Sequence, residues 1–424
     1  MTSFLLPYVP YKNNIEEVIS PAFINNENAG IINKTLNHYL NDIKKEIENC
    51  ISDWDTYKKY TNPYEYIHGI IGQHKLSVCK LKPLSRSFFK MIEICHNMDL
   101  INNHNPIETF HLAEGPGGFV EALCYLRENI NDKYFGMTLL DDGDSSVPGW
   151  NKSQHFLNKF STNVFIESGA DGRGDIMNPD NLLYCYNKYN NSCDIVTGDG
   201  GFDFSVDFNR QENISSKLIF SQIAFAVALQ KYNGHFVLKV FDTFTQISMD
   251  FLYLLSLLYN EVHIMKPNTS RYANSEKYII CKYFRLSNEN TNNLINHFHS
   301  ILTNYSDNIC LNRLLSIDIP YLYSNKLEEC NAIIGQQQIE NISSTLSIID
   351  NNKYERIETL KNNNIQKCIN WCQKYKLPYN KIFPNNNFLN NNFPNKNYPN
   401  KNYPNKNYLN NNSNNTLCNI SESS

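Results

Sequence analysis

Four charged residues sit where charge is costly. Lys239 interrupts the apolar run Gly234-His235-Phe236-Val237-Leu238-Lys239-Val240-Phe241. A lysine inside a buried strand is unfavourable unless a partner meets it. Asp199 follows a second apolar run, Asp194-Ile195-Val196-Thr197-Gly198, and is pinned by Gly198, Gly200 and Gly201. Glu276 closes the polar loop that starts at Pro267, and Lys90 lies in a helical pattern with Phe88, Met91 and Ile92 inward. On its own Lys90 reads first as a surface lysine whose stem snorkels along apolar side chains. A doubly wound sheet can bring these two lysines and two carboxylates to one face. Beside them in the chain stands Gly115-Pro116-Gly117-Gly118, after the apolar Phe110 and Leu112 and before an amphipathic helix opening at Phe119. Glycines there let backbone approach a ligand that a Cβ would exclude. The helix start adds free N–H groups and a positive dipole end. Such a turn binds an anion or a carboxylate at the carboxyl edge of a parallel sheet, or is a plain connection. Its spacing is neither the dinucleotide fingerprint nor the phosphate loop.

The elements that must hold these groups alternate. Strands are expected at 109–113, 134–140, 163–167, 194–198, 234–241, 260–265 and 277–284, and helices at 119–129, 150–160, 215–232 and 246–259. Strand–helix alternation with apolar strands means a parallel, doubly wound sheet. The last two strands leave no room for a helix between them and suggest an antiparallel pair at one edge. Residues 1–30 read as irregular, with Pro7, Pro10 and Pro21, and 31–61 as helical. Another helix is expected to open at Asn62-Pro63-Tyr64-Glu65, and 84–94 to be helical. Helical patterns return at 290–303, 327–350 and 353–375. From 381 the chain becomes Asn-rich, with three copies of Asn-Phe/Tyr-Pro-Asn-Lys at 392–406. Proline in each unit blocks helix and sheet interiors, so 381–424 is expected to be disordered. The expected domains are 1–60, 61–285, 286–380 and that tail.

Composition bounds the partners. The net charge is −4 over 424 residues, so any nucleic-acid site must be a local patch. The 12 cysteines form no C-x-x-C pair and read as reduced thiols. No His/Cys cluster offers a metal site. No signal peptide and no run of roughly 18 apolar residues is found, so neither secretion nor a membrane span is expected.

Lys90, Asp199, Lys239 and Glu276 fall in the order of the Lys-Asp-Lys-Glu tetrad of the FtsJ/RrmJ family of 2′-O-ribose methyltransferases. The sequence resembles that family, nearest its cap-1 mRNA methyltransferases and their large DNA virus relatives, across 60–285. The likeness runs through NPYEYIHG, SRSFFKM, EGPGGF, YFGMTL, DGRGDIMNPDNL, GDGGF, QEN, GHFVLKVFDTFT and KPNTSRYANSEKYIICK. It implies an α/β Rossmann-like methyltransferase fold, with a mostly parallel seven-stranded sheet, helices on both faces and helical terminal extensions. It implies S-adenosylmethionine held by Glu114, Gly115, Pro116, Gly117, Gly118 and Phe119, with Asp175 and Ile176 at the adenine. Asp141 and Asp142 are weaker candidates for the cofactor ribose. Arg86, Asn213, Ser270, Arg271 and Asn274 would meet RNA. At one position the pattern departs: His111 stands where many relatives carry an acidic residue. The resemblance further implies the capped mRNA 5′ end as substrate, capping or transcription proteins as further candidate partners, and no membrane. It places the protein in the cytoplasm of a virus-infected cell, with packaging in the virion an open alternative.

Methylating a ribose hydroxyl requires a base for a weak acid, a positioned methyl donor and in-line geometry. Lys239 is the candidate base. Burial and the nearby Lys90 push its pKa down, Asp199 and Glu276 push it up, and the sequence leaves the balance open. This chemistry calls for no metal. Two rival readings remain: a ribosomal or transfer RNA 2′-O-methyltransferase using the same tetrad, and an inactive RNA-binding scaffold.

Overall fold

The computed structural model describes residues 2–381, apart from 13, 26–29, 73, 102–104, 141–148, 202–210, 307–308 and 352–353. Asp141, Asp142 and the Asn-rich tail therefore lie outside the described residues. Met1–Pro384 form one compact unit.

Ten strands are described: β1 (Thr2–Leu5), β2 (Ile19–Asn25), β3 (Glu108–Leu112), β4 (Lys133–Met137), β5 (Val164–Ile166), β6 (Cys193–Gly198), β7 (Gln230–Val240), β8 (Tyr259–Lys266), β9 (Lys277–Phe284) and β10 (Ile309–Leu315). Eight form the central sheet, in the order β1-β8-β9-β7-β6-β3-β4-β5. The pairs from β5 through β7 are parallel. β9 runs antiparallel to both β7 and β8, so β8 points the same way as the parallel set. The sheet is thus mainly parallel, with eight strands rather than seven. The extra one is β1, whose four residues alternate half-buried and exposed and close the edge of β8. Pro7 and Pro10 lie beyond it, so its neighbours hid a strand too short to show a period. The antiparallel pair β8–β9 forms as expected, yet β9 is inserted beside β7 rather than placed at the rim.

Eleven α-helices are described: α1 (Lys34–Glu48), α2 (Ile51–Thr61), α3 (Ser87–Met98), α4 (Gly118–Arg127), α5 (Gln154–Lys159), α6 (Pro179–Tyr189), α7 (Gln211–Leu229), α8 (Gln246–Leu258), α9 (Asn288–Asn304), α10 (Tyr321–Asn351) and α11 (Tyr354–Lys374). Two apolar cores, one per face, follow from strand alternation. Phe236, Leu238 and Val240 of β7 join α7, α8 and α9 on one face. Val237, Tyr278 and Ile280 join α3, α4 and α11 on the other. α6 was not expected from the sequence, although Asn178 caps it and Pro179 opens it, a strong start signal.

Two further expectations are corrected. The helix expected at Asn62 is only the short 3₁₀ turn Glu65–Ile67, where Gly69 and Gly72 interrupt the pattern. The terminal regions are not purely helical. β2 pairs with β10 in a separate two-stranded sheet, where Pro21 is tolerated because each strand has a free edge. These regions also pack on each other, with α10 lying against α1 and α2.

In β3, His111 is fully buried, its ring between the hydroxyls of Thr109 and Thr197, each at 2.8 Å. Burial lowers its pKa to about 3, so the folded protein keeps it neutral. The unfolded chain takes up that proton below about pH 6.5. The ring's contribution to stability is therefore complete above pH 6.5 and is lost as pH falls toward 3, by about 1.4 kcal/mol per pH unit at most. Thermal melts of the unmutated chain and His111→Gln at pH 7.5 and 5.5 check this. The difference between the two profiles should narrow at the lower pH, and parallel profiles would contradict a buried neutral ring.

Candidate active site

Strand pairing alone brings two of the four charges together. Gly198, at the end of β6, is in register with Leu238 of β7, which places Asp199 beside Lys239. Lys239 Nζ lies 3.3 Å from Asp199 Oδ1 and donates to the Asp199 carbonyl. Across the antiparallel pair, Lys239 stands opposite Tyr278. Glu276 precedes Tyr278 by two residues and so shares its face. Lys90, from α3, completes the group, with Nζ 2.7 Å from Glu276 Oε1. The Tyr278 hydroxyl joins the two pairs, 3.3 Å from Asp199 Oδ1 and 3.4 Å from Glu276 Oε1. Lys90 is therefore no snorkelling surface lysine. All four side chains are 11–14% exposed, dry enough to require pairing yet open enough to meet a substrate. Burial would raise the Glu276 pKa, but Lys90 and Lys239 hold it at about 2.

The glycine turn lies at the carboxyl end of β3, next to this cluster. Gly117 has φ +106, a conformation that favours glycine. Gly118 serves packing: a Cβ there would sit 2.1 Å from Ser87 Oγ and 2.2 Å from Ser85 Oγ. That close approach seats α4 against the start of α3, the helix that carries Lys90. Pro116 accepts the Ser153 hydroxyl through its carbonyl. Phe119 donates its backbone N–H to Glu114 Oε1 at 2.5 Å, while its ring is buried 5.9 Å from that of Tyr278. Ile176 is likewise a core residue. Asp175 is half-buried and accepts the Met177 amide. A Cβ on Gly174 beside it would meet the Thr138 carbonyl just beyond β4, and a Cβ on Gly115 would meet the Thr138 methyl group.

The residues expected to meet RNA are tied into a brace. Arg86 and Arg271 share the buried Glu65 carboxylate, with contacts of 2.9–3.2 Å. Burial would raise the Glu65 pKa, yet Arg271 and Arg86 hold it at about 2. Ser270 donates to Glu276 at 2.8 Å. The Asn274 carbonyl accepts from Lys266, whose Nζ also meets the Glu276 carbonyl at 2.9 Å. Lys266 is fully enclosed, and burial lowers its pKa to about 7. Asn213 is half-buried in the first turn of α7, a turn that meets the 267–276 loop where the Ser275 hydroxyl donates to Gln211 Oε1 at 3.0 Å. Glu93 accepts the amides of Asn268 and Thr269 and the Trp371 indole N–H.

The sequence reading missed Glu65, Glu93, Lys266 and Tyr278 as members of the site. Each had a signal. Glu93 lies one helical turn beyond Lys90 in an apolar stripe, Tyr278 shares a strand face with Glu276, Lys266 ends an apolar strand, and Glu65 lies inside NPYEYIHG. Among the described residues no group of three or more His, Cys, Asp and Glu side chains is placed to hold a metal ion. No described helix is long and apolar enough to cross a membrane.

Fold and site together define a Rossmann-like methyltransferase domain. Residues 83–284 match the family profile described as FtsJ-like methyltransferase, and the chain carries an FtsJ-like methyltransferase domain over that span. It is similar to cap-specific mRNA (nucleoside-2'-O-)-methyltransferase 1 of Mus musculus, 31% identical over 264 residues covering 60% of this chain and 30% of that one. The Homo sapiens protein of the same name is 30% identical over 269 residues, 61% and 30% of the two chains. Cap-specific mRNA (nucleoside-2'-O-)-methyltransferase 2 of Drosophila melanogaster is 24% identical over 327 residues, 75% and 46%. The chain thus spans less than half the length of these relatives.

Replacing Glu65 by Gln should leave two guanidinium groups without their countercharge. Breaking a buried pair costs about 3–5 kcal/mol. Both arginines keep some water contact, so a loss of about 2 kcal/mol is expected in denaturant unfolding. An unchanged midpoint would show that the brace contributes nothing.

Proposed function

We propose that this protein transfers a methyl group from S-adenosylmethionine to a ribose 2′-hydroxyl at the 5′ end of capped mRNA, most simply that of the first transcribed nucleotide. The observation that carries the proposal is the closed Lys90–Glu276 and Asp199–Lys239 arrangement beside the glycine turn. The names of the cap-specific relatives support mRNA over ribosomal or transfer RNA. The intact tetrad speaks against an inactive scaffold.

The residues present fit the donor. Glu114 Oε2 is a buried acceptor with no hydrogen bond among the described residues. Glu114 and the 115–119 backbone would hold the amino-acid end, and Asp175 the adenine end. When bound, S-adenosylmethionine supplies an electrophilic methyl group. Lys239 Nζ takes the proton of the 2′-hydroxyl and can do so only as the uncharged amine. Asp199 orients that amine through the carbonyl and carboxylate contacts. Lys90 and Glu276 neutralise each other and position Tyr278 and Ser270 around the reacting hydroxyl. Arg86 and Arg271 offer guanidinium donors for phosphate, and Asn213, Ser270 and Asn274 offer polar contacts for ribose. Other capping or transcription proteins are proposed partners. Action in the cytoplasm of an infected cell, with packaging in the virion, belongs to the same reading.

Methyl transfer to capped and uncapped RNA by the unmutated chain and Lys239→Arg tests this. The guanidinium stays protonated at working pH, so the variant should lose turnover by at least about 100-fold while donor binding persists. Appreciable activity of folded Lys239→Arg would remove Lys239 as the base. Equal activity on uncapped RNA would remove the cap from the proposal.

A further inference from the structure

Gln222 of α7 is a polar side chain in apolar company. Its neighbours one turn away, Leu218, Ile219, Phe225 and Ala226, belong to the core, and Gln222 is itself fully buried. Its amide is committed at both ends. Oε1 accepts the Gly200 N–H at 3.1 Å, and Nε2 donates to the Leu218 carbonyl at 3.1 Å. These partners fix which end is which, because one is a donor and the other an acceptor. The glycines on either side of Asp199 make room for the amide. A Cβ on Gly198 would sit 2.4 Å from Gln222 Oε1, and one on Gly200 would sit 3.0 Å from the same atom.

The contact falls where the sheet ends. The Asp199 N–H still donates to the Leu112 carbonyl of β3, so the 198–199 peptide is held by the ladder. The 199–200 peptide lies beyond β6, and Gln222 holds its N–H. In a trans peptide the N–H and C=O point opposite ways. Drawing the Gly200 N–H toward α7 therefore turns the Asp199 carbonyl toward the other face of the sheet. Lys239 is on that face, since it alternates with Leu238 and Val240, which pack with α7. The Asp199 carbonyl accepts from Lys239 Nζ there.

We infer that Gln222 is a positioning residue that locks the Asp199–Gly200 peptide so that the Lys239 lone pair is left for the substrate, an assignment that rests on the proposed transfer with Lys239 as base. An uncharged lysine amine has two N–H donors and one lone pair. The Asp199 carbonyl and the Asp199 carboxylate, at 3.3 Å, offer it two acceptors. With both donors engaged, the lone pair is free to take the proton of the 2′-hydroxyl. Flipping the 199–200 peptide would reverse this. The Gly200 N–H would then face Nζ in place of the carbonyl and would occupy the lone pair that the reaction needs. Glycine accepts the backbone angles of many conformations, so residue 200 does not forbid the flip. The Gln222 amide does.

Single-turnover methyl transfer to capped RNA by the unmutated chain, Gln222→Met and Gln222→Glu tests this, with thermal melts alongside. Methionine has similar length and offers only a weakly accepting sulfur. Glutamate keeps an oxygen for the Gly200 N–H, and a carboxyl buried there takes its neutral form. Gln222→Met should slow transfer about 10- to 100-fold, the scale of a misplaced reacting group. Its affinity for S-adenosylmethionine and its KM for RNA should stay unchanged. Gln222→Glu should recover most of the rate although it melts lower. A plain tie between α7 and the sheet predicts the opposite order, with activity following stability. An unchanged rate in folded Gln222→Met, or no recovery in folded Gln222→Glu, overturns the inference. Hydrogen exchange of the Gly200 amide, read at single-residue resolution in the unmutated chain, needs no variant. Protection like that of the β6 amides is expected, and exchange as fast as in a free loop overturns the inference even if neither variant folds. Absence of methyl transfer by the unmutated chain removes the proposed function and the inference with it, whereas full turnover by Gln222→Met removes the inference alone.

Discussion

Two lysines and two carboxylates share a corner too dry for any of them to stand alone. Each ion in such a place needs an opposite charge and further hydrogen bonds, or its desolvation outweighs the attraction. The corner meets this demand with two pairs linked through the Tyr278 hydroxyl. One pair comes from the sheet. Asp199 and Lys239 are neighbours because β6 and β7 are parallel and in register. The other has no such guarantee. Lys90 stands on a helix and Glu276 on a loop, and both must be delivered to hydrogen-bonding distance by tertiary contacts.

Those contacts come from far along the chain. The 267–276 loop is fastened by Glu93 through backbone amides, by Glu65 through Arg271, and by Lys266 through two carbonyls. Gln338 of α10 donates to the Ala273 carbonyl at 3.0 Å, and Trp371 of α11 holds Glu93 from behind. On the loop after β7, Asn331 of α10 meets both the hydroxyl and the carbonyl of Thr243. Asn33, just ahead of α1, meets Asn331 in turn. The segments flanking the methyltransferase domain are therefore part of what sets the geometry of this corner. Packed protein transmits small displacements, so a shift in α10 or α11 reaches Glu276 through two or three contacts.

This division explains what could be read from the residues. Lys239 was legible because charge inside an apolar strand demands a reason, and Asp199 because glycines pinned it beyond a strand. The parallel core was legible from alternation. Short strands were not: β1 and β2 lie among prolines, and four to seven residues give little period to detect. Tertiary partners were not legible either. Nothing local in NPYEYIHG says that Glu65 binds two arginines about 20 and 200 residues away. The glycine turn was read as a cradle throughout, whereas Gly118 serves helix packing against Ser85 and Ser87. Phe119 and Ile176, read from resemblance as contacts to the cofactor, place their side chains in the core. Phe119 serves the loop through its backbone N–H.

Under the proposed function, the pairing of Arg86 and Arg271 through one carboxylate bears on how an acidic chain would hold RNA. With a net charge of −4, the protein has no long-range field that concentrates nucleic acid, and contact must be made at short range. Two free guanidinium groups this close would repel each other and wander. Glu65 removes that repulsion and fixes both planes, yet offsets only one of two charges, so the cluster keeps a net charge of 2 − 1 = +1. Arginine carries five donors, and the carboxylate engages only part of each fork, through Nη1 of Arg86 and through Nε and Nη2 of Arg271. Under the proposed function a phosphate would then meet donors that are already oriented, losing less side-chain entropy on binding. The same carboxylate that steadies the loop beneath Glu276 would thus set the position of the RNA backbone, tying substrate register to the geometry of the catalytic corner.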